Sequence, residues 1–196
     1  TELSDQVVAR MATETDAEVR GQAYKTYGAL GQVDTAERLE PYLSADDYQM
    51  QKGAMVGLLR HEPQNQAAQD HLAELVHSDK AEERRLAADL VGEIGLSEFS
   101  DRLVELLDDS DASIVDQAIV SAGILKDPDL IDLIVAKIPV PSLQTAIRHA
   151  MHNYGEPAVD TLDRAFSAPH LNRQEKLHIV DMLRAIGGDR VIETFR

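Results

Sequence analysis

The chain has 196 residues, of which 43% are hydrophobic and 4% aromatic, and its formal net charge is −16 at pH 7. This length is enough to bury a sizeable core, and the absence of cysteine excludes disulfides and thiolate chemistry. The negative charge disfavours nucleic acid and anionic membranes as partners, because both would be repelled. No apolar run reaches the roughly 18 residues that span a bilayer, so we expect no direct membrane insertion by this segment. We expect a cytoplasmic protein, or the cytoplasmic domain of a larger membrane protein.

A short glycine motif recurs along the chain. Its full copies are GALG at 28–31 and GEIG at 92–95, and partial copies start at positions 57, 123, 152 and 184. Six copies about thirty residues apart are typical of a stacked repeat array. We therefore predict six repeats of two helices, A then B, in a single array: approximately residues 1–31, 32–60, 61–95, 96–126, 127–155 and 156–187, then the start of a further helix at 189–196. The chain begins at Thr1 and ends inside that last helix, so we expect a piece of a longer protein.

In chain order, the A helices are the shorter ones, and five of them are predicted at 33–43, 65–77, 98–107, 127–138 and 156–166. Pro41 should kink the first of these, and Pro139 with Pro141 should end the fourth. Four B helices are predicted to begin after the capping residues Asp16, Asp79, Asp111 and Asn172. Four are predicted to end at the last residue of the motif, at Gly31, Gly95, Gly155 and Gly187.

Four of the six repeats carry another glycine three residues before that end, at positions 28, 57, 92 and 123. A glycine inside a helix is destabilising by roughly 1 kcal/mol relative to alanine, so its recurrence calls for a reason. We predict that a neighbouring helix approaches there with no side chain between the two backbones. Replacing Gly92 with leucine should then destabilise the fold by roughly 1–3 kcal/mol through overpacking.

Alignment of the B helices on their ends separates a core stripe from an opposite stripe, which occupies the positions two, six, ten and thirteen residues before the end. In the third repeat the opposite stripe is charged throughout, and we expect it to lie in water. Other repeats hold apolar residues there, among them Leu177; in the second repeat a register error of one residue is the alternative. We predict that this stripe binds a partner through Met50, Leu58, Glu82, Arg85, Asp89, Glu93, Asp116, Val120, Ile124, His149, Asn153 and Asp181.

These patterns resemble HEAT repeats, especially the short bacterial type of the phycobilin-lyase family. The segment DAEVRGQAYKTYGALG (16–31) fits best, and DKAEERRLAADLVGEIG (79–95) fits well. The resemblance covers essentially the whole chain. It implies an all-α, armadillo-like fold: a right-handed α-solenoid of about six helix pairs, with B helices lining the concave side. In the family, a turn aspartate and a B-helix arginine tie neighbouring repeats together, and only Arg20 and Arg84 stand in the arginine position here.

The resemblance implies a non-catalytic scaffold that binds a protein or peptide on the concave surface, without a cofactor. The acidic region from Glu62 to Asp116 favours a basic partner. Two alternatives stay open. One is a soluble regulatory module of a larger membrane protein, such as a HEAT-containing nucleotide transporter. The other is a ligand-handling protein like the bilin lyases, although no aromatic-rich groove is evident in the sequence.

Two sequence motifs are candidate metal sites. His149 and His152 share one helical face, but a complete zinc site needs three or four ligands, so we interpret them as surface or interface residues. The run Asp108 to Asp111 is similar to a calcium loop but lacks its glycine and its final glutamate. We therefore predict a turn that ends in a helix cap, and no metal site. Glu82, Asp89 and Glu93 could perform acid–base chemistry only in a pocket that raised one pKa.

Overall fold

The computed structural model describes residues 2–187. Over that range it contains twelve α-helices and no β-strand, which confirms the predicted all-α fold. The chain divides into two compact units, unit 1 (Thr1–Gly95) and unit 2 (Leu96–Arg196). Each unit contains three successive helix pairs, the building block of a helical-repeat protein. The further helix predicted at 189–196 lies outside the described residues.

Unit 1 contains helices α1 to α6. Their bounds are α1 (Glu2–Thr13), α2 (Ala17–Ala29), α3 (Thr35–Leu39), α4 (Tyr48–His61), α5 (Gln66–Val76) and α6 (Ala81–Ile94). The B helices α2, α4 and α6 pack side by side in chain order, and the A helices α3 and α5 both contact α4. Helix α4 is therefore the central element of unit 1.

Unit 2 contains helices α7 to α12. Their bounds are α7 (Ser100–Leu106), α8 (Ala112–Leu125), α9 (Ile131–Val135), α10 (Gln144–Tyr154), α11 (Val159–Phe166) and α12 (Arg173–Ile186). The B helices α8, α10 and α12 again pack in chain order. Short 3₁₀ turns precede α7, α9, α10 and α11, and three of these turns have proline in their first positions.

The helix starts follow the sequence signals at three of the four predicted caps. The side chains of Asp16 and Asp111 accept hydrogen bonds from the first turns of α2 and α8, and Asn172 forms a capping box with Glu175 on α12. The prediction for Asp79 is wrong, because α6 begins one residue later, with Lys80 in the cap position and no side-chain cap bond. The α-helix α3 ends at Leu39 and is followed by a 3₁₀ turn at Glu40–Tyr42 that contains Pro41, and the predicted kink stays a prediction.

The recurring glycines mark helix contacts in both units. A Cβ added to Gly28 would overlap the carbonyl group of Gly57 on the neighbouring helix, and one added to Gly123 would lie 2.8 Å from Cα of Ala150. The predicted close approach is thereby confirmed at these two contacts. Gly92 is buried on α6, and its close approach to a neighbour stays a prediction.

Candidate protein-binding face

The predicted binding stripe of unit 1 is mostly covered. Leu58 is 0% exposed, and Met50 is half-buried. Every residue from 53 to 59 of α4 is buried, because α2, α3, α5 and α6 all pack around this helix. The expectation that Leu58 points to solvent is therefore wrong, and Leu58 belongs to the core of unit 1.

The charged stripe of the third repeat forms ion pairs inside unit 1. Lys52 Nζ on α4 lies 2.6 Å from a carboxylate oxygen of Asp89 and 2.7 Å from one of Glu93, both on α6. Lys25 on α2 also pairs with Glu93, and Tyr48 Oη donates to Asp89 at 2.7 Å. The expectation that this stripe lies in water is wrong for Asp89 and Glu93, which are half-buried.

The remaining two residues of that stripe, Glu82 and Arg85, are exposed as predicted. The difference has a simple geometric cause. Lys25 and Glu93 belong to α2 and α6, so their ion pair runs past α4 and joins the two outer B helices of unit 1. Asp89 and Glu93 lie near this pair and join the network, and Glu82 and Arg85, which lie about two to three turns before Glu93 on α6, stay exposed.

The pKa values in this network follow from burial and pairing. Burial raises the pKa of Glu93, but the hydrogen bonds from Lys25 and Lys52 outweigh it and hold the pKa below its ordinary value. Burial lowers the pKa of Lys52, but its bonds to Asp89 and Glu93 bring the net shift upward. Burial, with the hydrogen bond to Asp89, raises the pKa of Tyr48 to about 12. Both shifts favour the charged forms of Lys52 and Glu93, which is the state that an ion pair requires.

A second contact ties α4 to the end of α6. The Arg60 guanidinium donates to the backbone carbonyl oxygen of Glu93, and its Nε donates to that of Ile94 at 3.4 Å. These carbonyls belong to the last turn of α6, where carbonyl groups lack a hydrogen-bond donor within their own helix. The contact positions a cation at the negative end of the helix dipole.

Unit 2 leaves the same stripe open. Val120 is 38% exposed and Ile124 is 54% exposed on α8, and Leu177 is 51% exposed on α12. The polar positions His149, Asn153 and Asp181 are exposed, and Asp116 is half-buried. The predicted solvent exposure of Val120, Ile124 and Leu177 is thereby confirmed. We name this surface the unit 2 B face and define it by Val120, Ile124, His149, Asn153, Leu177 and Asp181.

The three helices of the unit 2 B face are held together by a core on their opposite sides. Each of its three helices buries the opposite side, with Ile119 on α8, Met151 on α10 and Ile179 on α12 all fully buried. Helices α8 and α10 meet closely where Gly123 faces Ala150, and Asn153 lies beside the same contact. The exposed apolar side chains of α8 therefore stand directly next to the polar side chains of α10.

Sequence reasoning missed a small cleft beside this face. Between α10 and α12 lies a cavity of about 150 Å³, lined by residues that include Gln144, Thr145, Arg148, His178 and Asp181. The Nδ1 atom of His178 is buried there without a hydrogen-bond partner. Arg148 and His178 lie next to stripe positions in sequence, so a wider stripe would have included them.

The other candidate motifs take structural positions. His149 and His152 are exposed on α10, and no group of three potential metal ligands was found among residues 2–187. In the Asp108 to Asp111 run, Asp109 accepts from the backbone of Asp111, and Asp111 accepts from Ser113 at 2.8 Å, which confirms the predicted turn and cap. Over the described range, no helix combines the length and the apolar character needed to cross a membrane.

Comparison with known proteins gives matches among solved structures only. No protein-family model matches the sequence, and a search of curated proteins gives no match either. A crystal structure of an engineered protein matches with a TM-score of 0.47 and 16% identity, over 95% of this chain and 97% of that one. The complex of CpcE and CpcF of phycocyanin lyase from Nostoc sp. PCC7120 matches with a TM-score of 0.48 and 17% identity, over 99% of this chain and 80% of that one.

Proposed function

We propose that the chain is a HEAT-type repeat protein that acts as a non-catalytic scaffold and binds a partner protein or peptide on the unit 2 B face. The observation that carries the proposal is the exposure of Val120 and Ile124 on α8 and of Leu177 on α12, the first and third B helices of unit 2. Single exposed apolar residues are ordinary. Here all three lie in the same helical stripe, opposite side chains that are fully buried, so they do not belong to an incomplete core.

The shape of such a surface also fits the function. Side-by-side helices present a broad ridged surface instead of a deep pocket, and helical-repeat proteins use surfaces of this kind to bind extended partners. The partner would place apolar side chains against Val120, Ile124 and Leu177, and polar groups against His149 and Asn153.

Photo-crosslinking tests the proposal. The photoreactive residue p-benzoylphenylalanine replaces Ile124 in one variant and Leu177 in another, and crosslinked proteins from the source cell are identified by mass spectrometry. Val104, which is 45% exposed on the A helix α7, is the matched control position. We expect the same protein to be captured at Ile124 and Leu177 and not at Val104.

The identified protein is then purified and titrated against the chain. The paired substitution Val120→Asp with Ile124→Asp should weaken its binding by at least about tenfold while leaving the melting temperature nearly unchanged. Equal capture at Val104, no capture at Ile124, or undiminished binding by the paired variant would each show that this face is not the binding surface.

A further inference from the structure

The charges of unit 2 are distributed unequally between its two sides. On the A helices and the loops that follow them, Lys137 pairs with Asp108 at 3.1 Å and Arg164 pairs with Asp132 at 3.0 Å. On the B helices, Arg148, Arg173 and Arg184 are exposed, and their side chains form no ion pair or hydrogen bond with any other residue in 2–187. The cations without carboxylate partners therefore lie on the B side, although the whole chain is acidic.

Helix α10 is the one B helix of unit 2 without an acidic residue. Its sequence QTAIRHAMHNY contains no carboxylate, and Arg148, His149 and His152 are all exposed. Its neighbours bring apolar groups on both sides, Val120 and Ile124 from α8 and Leu177 from α12. On the two flanking helices, the carboxylates that occupy stripe positions are Asp116 on α8 and Asp181 on α12. Across the three helices the surface therefore offers apolar side chains on α8, a cation without a carboxylate on α10, and Leu177 with charged residues of both signs on α12.

The cleft between α10 and α12 adds a polar recess on one side of α10. It is lined by Arg148 together with the hydrogen-bonding side chains of Gln144 and Thr145, and Asp181 is its one carboxylate among the lining residues. His178 Nδ1 lacks a partner there and can donate a hydrogen bond in the tautomer or charge state that carries a proton on Nδ1. A guanidinium with several neutral donors is the kind of group that binds a carboxylate.

We propose that the partner segment bound by the unit 2 B face is acidic at its centre and apolar at both ends. Its apolar ends contact Val120 with Ile124 on one side and Leu177 on the other. Its central carboxylates lie over α10, and one of them enters the cleft beside Arg148. The inference rests on the proposed function, and it assigns to this face a charge preference opposite to the basic partner that the overall negative charge favours.

The size of the segment follows from helix packing. Neighbouring helix axes lie about 8–10 Å apart, so the path from α8 to α12 spans about 16–20 Å. That distance corresponds to about six residues of extended chain or about twelve residues of α-helix. A short linear segment is therefore long enough to contact all three helices.

Two labelled helical peptides of about twelve residues test the inference on the purified chain. Both carry leucines at the two ends of one face; one has glutamates between them and the other has lysines. Binding is followed by NMR titration of the isotope-labelled chain, which gives both the dissociation constant and the location. We expect the glutamate peptide to shift signals of α8, α10 and α12 and to bind at least about tenfold more tightly than the lysine peptide.

Variants then test whether Arg148 carries the preference. Arg148→Glu should abolish or reverse the preference for the glutamate peptide, and Arg148→Gln should give an intermediate ratio. Arg164→Glu on α11, an equal charge change on the A side, should leave the ratio unchanged. Equal or tighter binding of the lysine peptide, no binding of either peptide at about 1 mM, or an unchanged ratio in Arg148→Glu would overturn the inference.

These outcomes are separate from those of the crosslinking experiment. Specific capture of a protein at Ile124 without a preference for the glutamate peptide would leave the proposed function standing and overturn the acidic centre alone. Binding of phosphatidylserine vesicles with no binding of the glutamate peptide would place an anionic membrane on the face, and concentration-dependent dimerisation lost in Arg148→Glu would place a second copy there. Either result would also overturn the inference.

Discussion

Units 1 and 2 each contain three helix pairs, but they differ in the opposite stripe of their B helices. This stripe is mostly covered in unit 1 and mostly exposed in unit 2. In unit 1, Leu58 on α4 is buried, and Asp89 and Glu93 on α6 are paired with lysines of α2 and α4. In unit 2 the equivalent residues on α8, α10 and α12 are exposed. A helical position is thus not intrinsically core or surface, because the neighbouring helices decide whether water reaches it.

The packing of the B helices explains the contrast. In unit 1, α2 and α4 approach each other at several glycines, where added Cβ atoms on Gly21, Gly28 and Gly53 would overlap backbone atoms of the facing helix. In unit 2 the corresponding contact joins Gly123 to Ala150, whose methyl group keeps the helices farther apart. The closer approach in unit 1 allows Lys25 on α2 to reach Glu93 on α6. One unit therefore gains internal stability where the other keeps an open surface.

The same substitution at equivalent positions should separate the two units most clearly. Leu58→Asp buries an unpaired carboxylate in unit 1 and should destabilise it by at least about 4 kcal/mol. Ile124→Asp, at the equivalent exposed position of unit 2, should change stability by less than about 1 kcal/mol. Urea denaturation followed by circular dichroism measures both. Similar losses of stability in the two variants would mean that the contrast between the units is wrong.

Alanine substitution of the contact glycines should reveal the difference in helix approach. Gly28→Ala places a methyl group against the backbone of Gly57 and should destabilise by about 3 kcal/mol, because the facing atoms cannot rotate away. Gly123→Ala meets a looser contact and should lose about 1–2 kcal/mol. Gln22→Ala, an exposed change on α2, serves as the control. Thermal melting of the three variants gives the order, and a larger loss at Gly123 would contradict it.

Removal of a lysine should show that the charge network stabilises unit 1. Lys52→Met leaves Asp89 without this partner and Glu93 with Lys25 alone, and should lose about 1–2 kcal/mol. Lys80→Met removes an exposed pair with Glu83 on the same unit and should lose no more than about 0.5 kcal/mol. Denaturant titration distinguishes the two, and equal effects would mean that the network contributes only as a surface ion pair does.

Acid should weaken unit 1 through Glu93. Because its pKa in the folded chain is held below the ordinary value of 4.5, its ion pairs contribute stability above that value, and the contribution is lost as the pH falls through the folded pKa. The stability advantage of the wild type over Glu93→Gln should therefore be full near pH 7 and should shrink in acid below about pH 4.5. Urea midpoints measured across this range check the sign, and an advantage that grows in acid would refute it.

Local sequence signals predict the all-α fold and most of the helix starts and ends. The glycine period gave the helix pairs, and Asp16, Asp111 and Asn172 gave helix starts, because capping and backbone conformation depend on residues close in the chain. The same kind of local signal predicts the end of α6 at Gly95, which has the left-handed backbone conformation. After α8 the residue in this conformation is Lys126 and not a glycine. Its backbone N–H donates to the carbonyl oxygen of Ala122, four residues earlier, as the N–H of Gly95 does to Val91 at the end of α6.

Which residues of the opposite stripe reach the surface depends on contacts between helices. Helical periodicity placed Leu58 and Ile124 at equivalent positions, and it could not show that α2, α3, α5 and α6 all pack around α4. It likewise placed Asp89 and Glu93 on a charged stripe but did not show that Lys25, 68 residues away from Glu93, would meet it. Burial and ion pairing depend on the distances between helices, and those distances follow from contacts between residues far apart in the sequence.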